Sequence, residues 1–175
     1  MQQSTLVLIL SGILVVLSVP LVSAHGDEST SGPTNFQIMI FSIILSASVY
    51  FLITKFLEIQ TYLSSPLVFA LALFTGSVHI LLGLNDDILL LGGGGVIGIL
   101  GLSLFANFSQ WQDKTARLGL GLGVTVMFVA YFVSNHDIHY IIEDYLGIAT
   151  KFAELSIIVL LMKEWIQETS YSEEE

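Results

Sequence analysis

The chain has 175 residues, of which 54% are hydrophobic and 11% charged, with a mean hydropathy of +0.82. An ordinary soluble domain carries about 25% charged residues, so this composition cannot clothe a water-exposed surface, and most of the chain belongs in lipid. A formal charge of -10 argues against nucleic acid, which needs a basic face, and the lack of cysteine excludes disulfides and thiolate metal sites.

Residues 1–24 read as a secretory signal. An apolar run over 6–22 leads to Val22-Ser23-Ala24, whose small side chains suit signal peptidase, although residues 1–5 lack the usual Lys or Arg. An uncleaved first span is the other reading. Cleavage after Ala24 makes 25–35 an external polar arm that begins with His25. In that one residue the mature chain resembles the histidine-brace enzymes and the soluble domain of particulate methane and ammonia monooxygenases. The resemblance implies copper held between the free amine and the His25 ring.

Five apolar runs follow, over 36–57, 66–84, 88–108, 116–134 and 146–162. A membrane helix needs about 20 such residues to cross about 30 Å of hydrocarbon. The last run is the shortest and is interrupted by Lys151 and Glu154, while Pro66 suits a first helical turn. With the mature N-terminus outside, Lys55, Lys114, Arg117 and Lys163 fall at cytoplasmic ends of spans, and only Lys151 lies toward the outside. Trp111 and Trp165 then mark the inner interface, and Tyr140 and Tyr145 the outer one. The expected fold is therefore all-α: a polytopic bundle of five transmembrane helices after a signal peptide, N-out and C-in, in the cell membrane. Residues 167–175 form an acidic cytoplasmic tail.

Glycines crowd the third and fourth spans: Gly92 to Gly95, Gly98 and Gly101, then Gly119, Gly121 and Gly123. Pairs four apart, such as Gly94/Gly98 and Gly119/Gly123, allow close helix packing within the chain, with a second copy or with other subunits. A second reading has the four consecutive glycines break the third helix beside a substrate path, as in transporters.

The polar chemistry gathers toward the outside. His25, His136 and His139 lie in external segments, beside Asp86, Asp87, Asp137, Glu143 and Asp144. If residues 135–144 are helical, His136, His139 and Glu143 share one stripe and offer two imidazoles and a carboxylate to zinc, copper or nickel. The plainer reading is a solvated interfacial helix. His79 stands six residues before Asn85, about 9 Å inside the outer boundary, where an ionisable side chain needs a partner. Lys151 and Glu154, three apart on the last helix, form an intramembrane polar path or a packing pair. If the second and fifth helices are neighbours, a polar track runs past His79 to Glu154.

Residues 75–90, Thr-Gly-Ser-Val-His-Ile-Leu-Leu-Gly-Leu-Asn-Asp-Asp-Ile-Leu-Leu, resemble the metal motif of the HupE/UreJ family, small polytopic proteins associated with nickel or cobalt uptake. That motif runs histidine, proline, two residues, glycine, one residue and Asp-His before an apolar helix. His79 and Gly83 match, while Ile80, Asn85 and Asp86 replace the proline, the aspartate and the second histidine. The resemblance implies His79 as a metal ligand, with Asp86 as a substituted one.

The leading expectation is a non-enzymatic membrane protein that holds or passes a divalent metal through His136, His139, Glu143, His25, Asp86 and His79. The alternative is a non-catalytic accessory subunit, for instance of a copper membrane monooxygenase, docked through its glycine-rich helices. A b-type cytochrome, with His79 and His136 or His139 as axial ligands, is the third.

Overall fold

In the computed structural model, residues 32–55, 65–105, 108–135 and 138–172 are described. They form α1 (Asn35–Lys55), α2 (Pro66–Leu82), a 3-10 turn (Gly83–Asn85), α3 (Asp87–Phe105), α4 (Gln110–Ser134), the short α5 (Ile138–Glu143) and α6 (Tyr145–Ser172). No strand occurs among them. The signal segment, the external arm with His25, and His136 with Asp137 lie outside the described residues.

Each long helix begins at a polar residue that accepts hydrogen bonds from otherwise orphaned backbone N–H groups. Thr34 and Gln37 bond reciprocally at α1, as do Ser109 and Gln112 at α4. Ser65 caps α2, with Pro66 in the first turn. Asp86 accepts from Ile88 and Leu89 at α3, and Asp144 accepts from Gly147 at α6. The polar residues between apolar runs thus close helix ends where the chain leaves the hydrocarbon.

Four helices, α1, α3, α4 and α6, are long and apolar enough to cross a membrane, and α2 is a shorter apolar helix of 17 residues. The last apolar run of the sequence is not the shortest element. It continues past Lys163 to Ser172, making α6 the longest helix at 28 residues, and α4 starts at Gln110 rather than near Ala116. Consecutive helices run antiparallel, so Leu82, Asp87, Ser134 and Tyr145 share what we call the His/Asp end. Lys55, Lys114, Arg117 and Lys163 gather at the opposite, Lys/Arg end.

The short α2 is the hub. It packs on α1, α3 and α6 and is buried from Val68 to His79 except at Leu71 and Leu73, which are half-buried. Toward the Lys/Arg end, Val68, Phe69 and Ala72 meet Val49 and Ile53 of α1, Val96 and Leu100 of α3, Leu120 and Val124 of α4, and Ile157 of α6. Toward the other end, Phe74 and Val78 pack with Ile38, Leu146 and Ala153.

The glycine run does not break α3, which stays helical through Gly92, Gly93, Gly94 and Gly95. Within the run, Gly93 sets the packing against α2: a Cβ there would lie 2.7 Å from the Gly76 carbonyl oxygen and 2.7 Å from the Ile80 nitrogen. Real Cβ atoms do not approach backbone that closely, so α2 and α3 touch main chain to main chain at Gly76 and Gly93. This is the close contact that stabilises helix pairs in lipid, where apolar burial alone supplies no drive to associate. Gly94, Gly95, Gly98 and Gly101 point into open space instead.

Candidate functional site

One turn of α2 and one turn of α6 bring four polar side chains together inside the bundle. Thr75, His79, Lys151 and Glu154 are all buried, Glu154 and Thr75 fully so. On α6 the spacing Asp144, Gly147, Lys151, Glu154 runs three, four and three residues, which keeps all four on one face. That face turns toward α2 and α4.

Glu154 is the centre of the cluster. Its Oε2 accepts from Lys151 Nζ at 2.6 Å, and its Oε1 accepts from the Thr75 hydroxyl at 3.0 Å. Lys151 Nζ also donates to the Met127 carbonyl of α4 at 3.0 Å and lies 5.1 Å from the centre of the Tyr131 ring. Carboxylate, carbonyl and ring face together seat an ammonium, each supplying negative potential in a region with little water to screen it. Tyr131 in turn donates its hydroxyl to Asp144 Oδ2 at 3.0 Å, linking the buried cluster to the start of α6.

His79 completes the arrangement. Its Nδ1 lies 2.8 Å from the carbonyl oxygen of Thr75, which only accepts, so Nδ1 carries the hydrogen. In the neutral ring Nε2 is then an unprotonated acceptor, and it faces Glu154 Oε1 at 3.6 Å. A backbone carbonyl fixes the tautomer in the way that outer-shell partners orient metal-binding and proton-shuttling histidines. Two acceptors facing each other across a buried gap repel, and the arrangement favours a cation between them.

The helix neighbours required for a track past His79 to Glu154 are therefore present. The external residues are arranged differently. His139 Nε2 lies 3.1 Å from Glu143 Oε1 on α5, and both side chains are exposed, at 81% and 68%. Helix α5 begins at Ile138, so His139 and Glu143 share its surface while His136 falls outside the described residues. Asn135 closes α4 by donating its side-chain amide to Tyr131 O. Asp86, the substituted metal ligand of the sequence motif, points its carboxylate at the N–H groups of α3. Among the described residues no three His, Asp or Glu side chains converge in a metal-binding group. His79 Nε2 faces Glu154, and His139 Nε2 faces Glu143.

Sequence reasoning missed Thr75, the Met127 carbonyl and Tyr131, and gave Asp144 no role at the centre. The Thr75 signal was its position one turn before His79; the Asp144 signal was the three-four-three spacing to Glu154. Nothing along the chain marks Tyr131 or Met127, which reach the cluster through packing of α4 on α6. No protein-family model, curated protein or solved structure matches the chain.

Proposed function

We propose that this multi-pass membrane protein handles a cation at the His79/Glu154 centre, which it reaches from the His/Asp end on the extracytoplasmic side. The carrying observation is the pair of facing acceptors, His79 Nε2 and Glu154 Oε1, held 3.6 Å apart in a buried layer. The cation that suits this seat best is a proton. It needs only two acceptors, and placed on either atom it turns that atom into a donor to the other. A dication would meet the ammonium of Lys151 on the same carboxylate. The groups that face the seat are Thr75 on α2, and Lys151 with the more distant Asp144 on α6; Tyr131 and the Met127 carbonyl from α4 face Lys151.

Below the seat, toward the Lys/Arg end, lies the apolar core of Ile157, Ala72, Val68, Val124 and Leu120. The centre thus loads from one face, and the chain holds a cation for exchange or for a partner rather than conducting it alone. Hydrogen–deuterium exchange of the full chain in lipid, followed by infrared difference spectroscopy, tests this. An exchange-sensitive band that is lost in both His79→Gln and Glu154→Gln is expected; no exchange-sensitive band that depends on either residue would sink the reading.

Metal handling keeps one observation in its favour, the exposed His139/Glu143 pair, together with the HupE/UreJ-like motif around His79. Zinc, copper or nickel retained by the purified chain and lost on His139→Ala/Glu143→Ala supports it; retention unaffected by those changes removes it. An accessory-subunit role is favoured by the outward glycines Gly94, Gly98 and Gly101 on α3. Fixed-stoichiometry co-purification with other membrane subunits tests it, and purification from native membranes as a lone chain counts against it.

A further inference from the structure

Helices α4 and α6 separate along one side and leave a groove of about 580 Å³, a volume in the range of ligand sites. Its walls are Leu118, Gly121 and Leu122 of α4 and Ile158, Leu161 and Met162 of α6. Leu118, Leu122, Val126 and Val129 are exposed, so the α4 side of the groove faces the surrounding lipid. From Lys114 to Thr125 the α4 wall covers about 16 Å at 1.5 Å per residue. That is one leaflet's share of about 30 Å of hydrocarbon.

Charge lies at one end only. Lys114, Arg117 and Glu168 line the mouth at the Lys/Arg end, beside Trp165, a residue type favoured at the lipid headgroup level. Arg117 is held from two sides: Nε and Nη2 donate to Asp113 Oδ2, and Nη1 donates to Glu168 Oε1. Three of its five N–H groups are engaged and two remain. Lys114 is exposed, and the Glu168 side chain is 45% exposed. Two cations and two carboxylates balance, so an anionic headgroup gains little there. A headgroup carrying both signs meets a partner for each.

We propose that this groove is a binding site for phosphatidylethanolamine from the leaflet at the Lys/Arg end. One acyl chain lies along Leu118, Gly121 and Leu161. The phosphate takes Lys114 and the remaining N–H groups of Arg117, and the primary ammonium donates to Glu168. Phosphatidylcholine has the same phosphate but no ammonium hydrogen, and phosphatidylglycerol has no cation, so the three lipids separate the contacts. Gly121 keeps the groove open. A Cβ there would stand 3.5 Å from Leu161 Cδ1, an ordinary contact, so larger side chains enter the groove without striking backbone.

Native mass spectrometry of the detergent-solubilised full chain, titrated with each lipid, tests the site. Retention of phosphatidylethanolamine about fivefold above phosphatidylcholine is expected, the ratio that one screened ion pair supplies at most. Glu168→Gln should bring the two lipids level. Gly121→Leu should abolish the retained lipid and Gly121→Ala reduce it, with helical content unchanged in both; the alanine variant carries the test if the leucine variant does not fold. Equal retention of all three lipids, a preference for phosphatidylglycerol, or undiminished retention in folded Gly121 variants would overturn the assignment.

Discussion

The two halves of the bundle solve the burial problem in opposite ways. Toward the Lys/Arg end, the layer around Ile157, Val124, Leu120 and Val68 is an apolar core, and the ion pairs of that half are those of Arg117 with Asp113 and Glu168. Toward the His/Asp end, the same helices carry Thr75, His79, Lys151 and Glu154 inside. Apolar packing would have served equally well there, since replacing a buried ion pair by well-packed hydrophobic residues is often neutral or stabilising. On the proposed function, the polar half serves the bound cation, and the apolar half limits its access from the Lys/Arg end.

The sharpest way to break that contrast is to remove one charge from each half. Glu154→Leu leaves Lys151 buried with only a carbonyl and a ring, and should cost about 3–5 kcal/mol in a detergent melt. The double variant Lys151→Met/Glu154→Leu should recover most of that loss, because no uncompensated charge remains. Glu168→Gln at the exposed rim removes a screened contact and should cost no more than about 1 kcal/mol. Equal losses at Glu154 and Glu168 would mean that the inner pair is as accessible to water as the outer one. Next in size is Thr75→Val, which removes the hydroxyl donor to Glu154 and should cost about 1.5–3 kcal/mol, the worth of a hydrogen bond to a charged group.

The all-helical membrane fold was legible because composition and run length answer to the hydrocarbon itself. The hub was not. Helix α2 has the same apolar character as its neighbours, and its central place follows from packing on α1, α3 and α6. The internal polar side chains, His79, Lys151 and Glu154, stood out because lipid makes each one costly. Their partners Thr75 and Tyr131 did not, since hydroxyls are unremarkable along a helix until another helix supplies the acceptor. The histidines near α5 drew attention by spacing, yet spacing cannot tell an exposed pair from a converging site. His139 and Glu143 proved to be exposed.

Glycine supplies a smaller test of the same kind, inside against outside on one helix. Gly93→Ala drives a Cβ into the Gly76 carbonyl and the Ile80 nitrogen, and should cost about 1–3 kcal/mol as overpacking. Gly94→Ala meets nothing within 4 Å of its Cβ and should leave stability unchanged or raise it by up to about 1 kcal/mol, the helix-propensity gain of alanine over glycine. A comparable loss at both positions in the isolated chain would show that the outward face is packed as tightly as the inward one. A loss at Gly94 that appears only in native membranes would instead identify a partner on that face.

Tyr131→Phe should have the smallest effect on the polar half and says most about its outer boundary. The substitution keeps the ring beneath Lys151 Nζ and removes only the hydroxyl that donates to Asp144 Oδ2. The loss should be about 0.5–1.5 kcal/mol, that of one ordinary hydrogen bond, since Asp144 keeps its bond from Gly147. Its effect on Glu154 separates two structures of the polar half. If the hydroxyl is only a tie between α4 and α6, the exchange-sensitive band of the seat takes up deuterium as fast as in the wild type. A slower exchange, with the same end states, would place Tyr131 on the route between the His/Asp end and the seat. Asp144→Asn, which retains an acceptor for the tyrosine but discards the charge, should then slow it too, whereas Ile157→Val in the dry half should leave it unchanged.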